Sequence, residues 1–136
     1  MIEKALFTHI TTDSTITALM GTRLFPNKIP QGQPLPAAEY KQEAGKREHM
    51  MSGPAGMVDS QYTITCYGST YAAAKELAEA VRKRLDGFRG VVEGITIDVM
   101  MLIDELDKPE FKPGTDILNR YGKELTFVVW FKESVT

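Results

Sequence analysis

A change of apolar period along the chain restricts its fold more than any other feature. From Thr70 to Leu85 the residues Tyr71, Ala74, Ala78, Val81 and Leu85 step by three or four, which predicts a helix with one buried stripe. Arg82, Lys83 and Arg84 occupy its last turn, where cations oppose the negative dipole end, and Gly87 can close it. The flanking segments alternate instead. Val58, Tyr62, Ile64 and Cys66 face one way and Asp59, Gln61, Thr63 and Thr65 the other, a strand with one wet face. Ile95, Ile97, Val99, Met101 and Ile103 alternate with Thr96, Asp98, Met100 and Leu102, a strand partly covered on both faces. In a last strand, Glu124 to Lys132, Leu125, Phe127, Val129 and Phe131 oppose Thr126, Val128 and Trp130.

The N-terminal part adds two short helices. Ile2, Ala5, Leu6 and Ile10 fall at helical spacing, with His9 beside that stripe. Asp13 can cap a second helix, with Ile16, Leu19 and Met20 inward and Gly21 as its stop. Arg23 to Pro26 reads as a short extended piece, and Pro30, Gly32, Pro34 and Pro36 make a stiff, non-helical connector. Ala37 to Glu43 is expected as a strand interrupted at Gly45. Residues 45–56 have neither period and are expected as a long hairpin loop, a type often functional. Asp107 to Leu118, with Pro109, Pro113 and Gly114, is expected as loop. Grouped rather than alternating elements predict an α+β domain over residues 1–136. It should hold a mainly antiparallel sheet with one long helix and the N-terminal helices packed on one face.

Several function classes are disfavoured early. The 136 residues carry 16 Lys plus Arg against 18 Asp plus Glu, a net charge of −2, without the basic excess of a nucleic-acid coat. No apolar stretch approaches the roughly 20 residues needed to span a bilayer. Met1 to Lys4 does not open a secretory signal. A single cysteine, Cys66, leaves no internal disulfide and fits a reducing compartment. The expectation is a soluble intracellular domain.

Chemistry-bearing residues do not assemble into a motif. His9, His49 and Cys66 lie on three separate elements, so no metal site is expected. His9 reads as a packed helix histidine and Cys66 as a small buried hydrophobe whose thiol is a poor nucleophile. Asp104, Glu105, Asp107 and Glu110 lack the spacing of a calcium loop and read as a solvated turn. Gly53 to Gly56 has no following Lys-Ser/Thr pair and is no phosphate cradle. Lys41, Lys46, Arg47, Arg82, Lys83 and Arg84 would form a patch only if the long loop folded near the helix end. Without interleaved stacking aromatics, a solvated loop and a dipole-matched helix terminus are the simpler reading. No catalytic residue, cofactor or metal is therefore nominated.

An ordered series of segments nevertheless resembles one family. Leu19 to Pro26, Pro30-Gln31-Gly32, Leu35-Pro36-Ala37 with Tyr40, and Gly45 to His49 running into Gly53 to Gly56 come first. Tyr71 to Ala74, Leu77-Ala78, Val81-Arg82, Leu85 to Gly90 and Phe127 to Phe131 follow in order. Together they are similar to the phage tail-completion proteins of long-tailed phages and prophages. The resemblance implies a non-enzymatic tail-terminator subunit that caps the tail tube, generally as a sixfold ring, and offers a docking face to the head. Its implied partners are other copies of itself, the tail tube protein and a head-side connector protein, with genome DNA passing through the ring but no sequence-specific nucleic acid. Its implied location is the host cytoplasm during assembly and then the head–tail junction of the virion. The alternatives are a head-side connector subunit or, in another class, a small-molecule-binding or enzymatic α+β domain, which needs a convergent polar pocket. Arg47, Glu48, His49, Met50 and Met51 are the expected partner-contacting arm, because adjacent methionines in a polar loop are adaptable apolar contacts.

Overall fold

A computed structural model describes residues 2–30, 32–47, 57–111, 114 and 118–132. Helix α1 (Ile2–Thr11) buries Ala5, Leu6, His9 and Ile10, the face its apolar spacing predicts. Asp13 caps α2 (Ser14–Met20) by accepting from the Thr15 N–H at 3.0 Å. Gly21 ends α2 at φ 60°, where its own N–H donates to the Thr17 carbonyl at 2.8 Å. Strands β1 (Leu24–Pro26), β2 (Ala37–Arg47) and β3 (Met57–Gly68) follow. The Thr70 hydroxyl then accepts from the Ala73 N–H at 3.1 Å and starts α3 (Tyr71–Leu85). The chain continues through β4 (Gly90–Val92), β5 (Ile95–Asp107), β6 (Glu110–Phe111) and β7 (Leu118–Lys132).

These strands make one mixed sheet of order β1-β2-β3-β7-β5-β4, with β6 paired to β7 off that path. β1 runs parallel to β2, and every other pair is antiparallel. The register aligns side chains in rows across the strands. Ile64 lies opposite Leu125, Tyr62 opposite Phe127, and Ser60 opposite Val129, which in turn faces Met100. This face meets Leu6, Ile10, Ile16, Met20, Leu77, Val81 and Leu85 from the helices in one core. The class is α+β, as the grouped elements predict. None of the helices is long and apolar enough to cross a membrane, among the described residues.

The strands extend beyond the runs of clean alternation. β2 passes through Gly45 to Arg47, where the sequence reading expects an interruption and a loop. A register shift between Gln42 and Ala44 puts the second half out of step with the first, which hides it from a period-two reading. Arg47 ends β2 opposite Val58. Glu48, His49, Met50 and Met51, the rest of the expected arm, lie outside the described residues. The acidic residues Asp104, Glu105 and Asp107 are not a solvated turn but the last part of β5. There Lys123 of β7 sits 3.5 Å from Glu105 and 3.3 Å from Asp107. β6 and Leu118, the first residue of β7, occupy positions expected as loop, since the flanking prolines and glycine outweigh two short pairings in any local reading.

Candidate interaction surfaces

The side of the sheet away from the helices divides into two halves. In one half the chain covers itself. Ile29, Ala37 and Tyr67 form a second small core with Phe25 and Leu35 against it. The Arg120 guanidinium lies 4.0 Å from the Tyr67 ring centre and donates to Glu110 at 2.8 Å. Gly122 is required here, because a Cβ would collide with the Lys108 carbonyl and lie 2.9 Å from the Tyr67 ring. Thr63 and Thr65 are buried on this side although both are polar.

The other half carries apolar side chains without a layer above them among the described residues. Val128 and Trp130 alternate with the core residues Phe127 and Val129, so they point away from the helices. They align with Met101 and Val99 of β5 respectively. Met101 is 45% exposed, and Ile103 and Leu106 further along β5 are 49% and 42% exposed. Isolated apolar exposure is ordinary, but an aligned strip of it marks a contact surface. Sequence reasoning takes β5 as partly covered on both faces and misses the strip. Its available signal is Ile103 and Leu106 set among Asp104, Glu105 and Asp107.

The grooves offer polar groups that are already matched in charge. One, of about 720 Å³, is lined by Lys28, Ile29, Gln33, Asn119, Arg120 and Glu110 among others. Burial would raise the Glu110 pKa, but hydrogen bonds from Arg120 and Asn119 outweigh it and hold the carboxyl below its usual range. A second, of about 170 Å³, mixes Glu39 and Glu110 with Lys28, Lys41 and Lys108. No group of three His, Cys, Asp or Glu side chains is placed to hold a metal, among the described residues.

The remaining singled-out residues take structural positions. His9 is buried, stacks its ring 3.8 Å from that of Phe88, and sets Nε2 3.2 Å from the Arg84 carbonyl. Burial, then the Arg84 charge, lower its pKa below 6.5. Arg84 returns the contact, donating from Nε to the His9 carbonyl at 2.9 Å, so the pair clasps α1 to α3. Arg82 is bound by Glu79 at 2.8 Å. Both arginines thus serve the helix and its neighbours rather than a patch with β2. Burial pushes the Cys66 thiol up to about 12.

The sequence matches the family model described as Tail completion protein gp17 over residues 4–105. No curated protein matches it. Among solved structures the fold is similar, with a TM-score of 0.72, to a chain from the virion of a native gene transfer agent (GTA) particle. That similarity covers 97% of this chain and 95% of the other at 18% identity. With the family match running from α1 through most of β5, the chain belongs to the tail completion protein gp17 family.

Proposed function

We propose that this chain is a structural subunit of a phage-type tail that caps the finished tail tube and forms the surface joining it to the head. The observation that carries the reading is the family match across residues 4–105. The exposed strip at Met101, Ile103 and Leu106 supports it, because an assembly subunit needs apolar surface left over after folding. Copies close into a ring, sixfold by the family resemblance, on the tip of the tube. Small interfaces that are weak alone become strong when the tube fixes several subunits together, so closure waits for a finished tube. The segment from Arg47 through Met51 reaches the head-side partner.

Electron microscopy of particles assembled without this protein tests the assignment. Overlong tubes are the expected result. Tubes of normal length lacking heads would make it a head-side connector subunit, and normal virions would remove both readings. Shortening the segment 48–51 is expected to abolish head joining with little change in melting temperature.

A further inference from the structure

We propose that neighbouring copies join strand to strand, the outer edge of β5 in one copy pairing antiparallel with the outer edge of β2 in the next. The inference rests on the ring reading above and supplies its contact. Among the described residues, both edges are paired for part of their length and then unpaired. β1 pairs with Ala38 to Tyr40, and the last outer bond of β2 runs from the Asn27 N–H to the Tyr40 carbonyl at 2.7 Å. On β5, β4 pairs with Ile95 to Ile97. Next, the Gly87 N–H donates to the Met100 carbonyl at 2.7 Å, and the Leu102 N–H to the Asp86 carboxylate at 3.0 Å. Past these points no strand pairs with the outer side of 41–47 or of 103–107, among the described residues. A bulge lies at each place, between Gln42 and Ala44 and between Leu102 and Asp104.

The two bare stretches carry opposite charge. Residues 41–47 hold Lys41, Lys46 and Arg47 against Glu43, whereas 103–107 hold Asp104, Glu105 and Asp107 with no cation. Charge on one edge alone serves to keep sheets apart. Opposite charge on the two edges of one sheet repels like edges and attracts unlike ones, which selects head-to-tail addition over a symmetric dimer. Ile103 and Leu106 stand exposed within the acidic stretch, apolar area that a neighbour would cover.

Strand direction agrees. From β2 through β3 and β7 to β5 every pairing is antiparallel, so β2 and β5 run in opposite directions. A neighbour related by rotation about an axis to which the strands are tilted, by about 35–45° as in closed sheets, therefore still presents β2 antiparallel to β5. The pairing is strand addition, in which backbone hydrogen bonds give affinity and side chains give register. Arg47 aligns across the sheet with Val58, Phe131 and Ile97, while Asp107 aligns with Lys123, Cys66 and Ala38. The bare stretches thus lie toward opposite ends of the sheet, and joining them staggers successive copies along the strands. Strand tilt in any closed cylinder of sheet requires such a stagger.

Two full-length variants test the contact, one with Asp104→Lys and Asp107→Lys, the other with Lys41→Glu and Lys46→Glu. Sedimentation at high protein concentration and low salt, and binding to isolated tail tubes, read assembly. Each variant alone is expected to assemble at least tenfold more weakly than the unaltered protein. Their mixture is expected to recover assembly, since the reversed edges complement each other and the unaltered edges remain. Melting temperatures close to that of the unaltered chain establish folding; if a double variant melts early, Asp104→Lys and Lys41→Glu replace it. Assembly unchanged in either variant, or no recovery on mixing, overturns edge pairing while leaving the ring intact. An unaltered protein that associates neither alone nor on tubes removes the ring and the edge contact together.

Discussion

Phe127 and Val128 are neighbours in β7 yet live in different environments. Phe127 is 1% exposed in the core beneath the helices, whereas Val128 faces the side with Met101, which is 45% exposed. The first face is fixed by folding, with side chains from all three helices and from β1, β2, β3, β5 and β7 in contact. The second has apolar chemistry but, among the described residues, no layer of its own beyond the half near Tyr67. One strand thus serves folding with one set of residues and remains available for assembly with the other.

Substitutions should separate the two faces by size of effect. Phe127→Ala is expected to cost about 3–5 kcal/mol in urea unfolding, whereas Val128→Ala should cost under about 1 kcal/mol. Equal losses would mean that both faces are packed. The next largest effect is expected at the boundary between the halves. Gly122→Ala should destabilise by about 1–3 kcal/mol, because the Lys108 backbone and the Tyr67 ring would both have to move. A neutral result would show that β7 bends away from Tyr67 without cost.

The helix-side clasp has its own pH signature. His9 has a folded pKa below its unfolded value of about 6.5, so the folded chain binds fewer protons. Its contribution is fully present above about pH 6.5 and is lost as pH falls toward the lowered folded value. Unfolding free energies at about pH 7.5 and pH 5.5 should therefore differ less in His9→Gln than in the unaltered protein. An identical difference in both would remove His9 as the cause. The smallest effect belongs to the open face. Met101→Ser is expected to change stability by no more than about 0.5 kcal/mol, since its side chain is already substantially in water. A larger loss, read from the same urea curves, would mean that the strip is part of the monomer's core.

The sequence was most legible where one residue type has one local job. Asp13 and Thr70 cap helices by side-chain hydrogen bonds confined to a few residues, and the α3 stripe repeats with the period of the helix itself. It was least legible where tertiary pairing outweighs local pattern. β2 past Gln42 and β5 past Leu102 each follow a bulge that shifts the alternation. The acidic end of β5 is favourable as strand because Lys123 waits on β7, a partner that local spacing cannot reveal. β4 and β6 are too short to show a period. Of the candidate surface, Arg47 ends β2 while the rest of the expected arm lies outside the described residues, and the strip at Met101, Val128 and Trp130 emerges only when strands that are distant in sequence align.

The single cysteine gives the molecule a built-in clock. Cys66 has no solvent-accessible surface, and its pKa of about 12 leaves almost no thiolate at neutral pH. An alkylating reagent can react there only during moments when the sheet and helices part. Its labelling rate at Cys66 then measures how often the interior opens, while cysteines introduced on the surface react at once. The same chain can therefore report contact between copies and opening within a copy on two separable timescales.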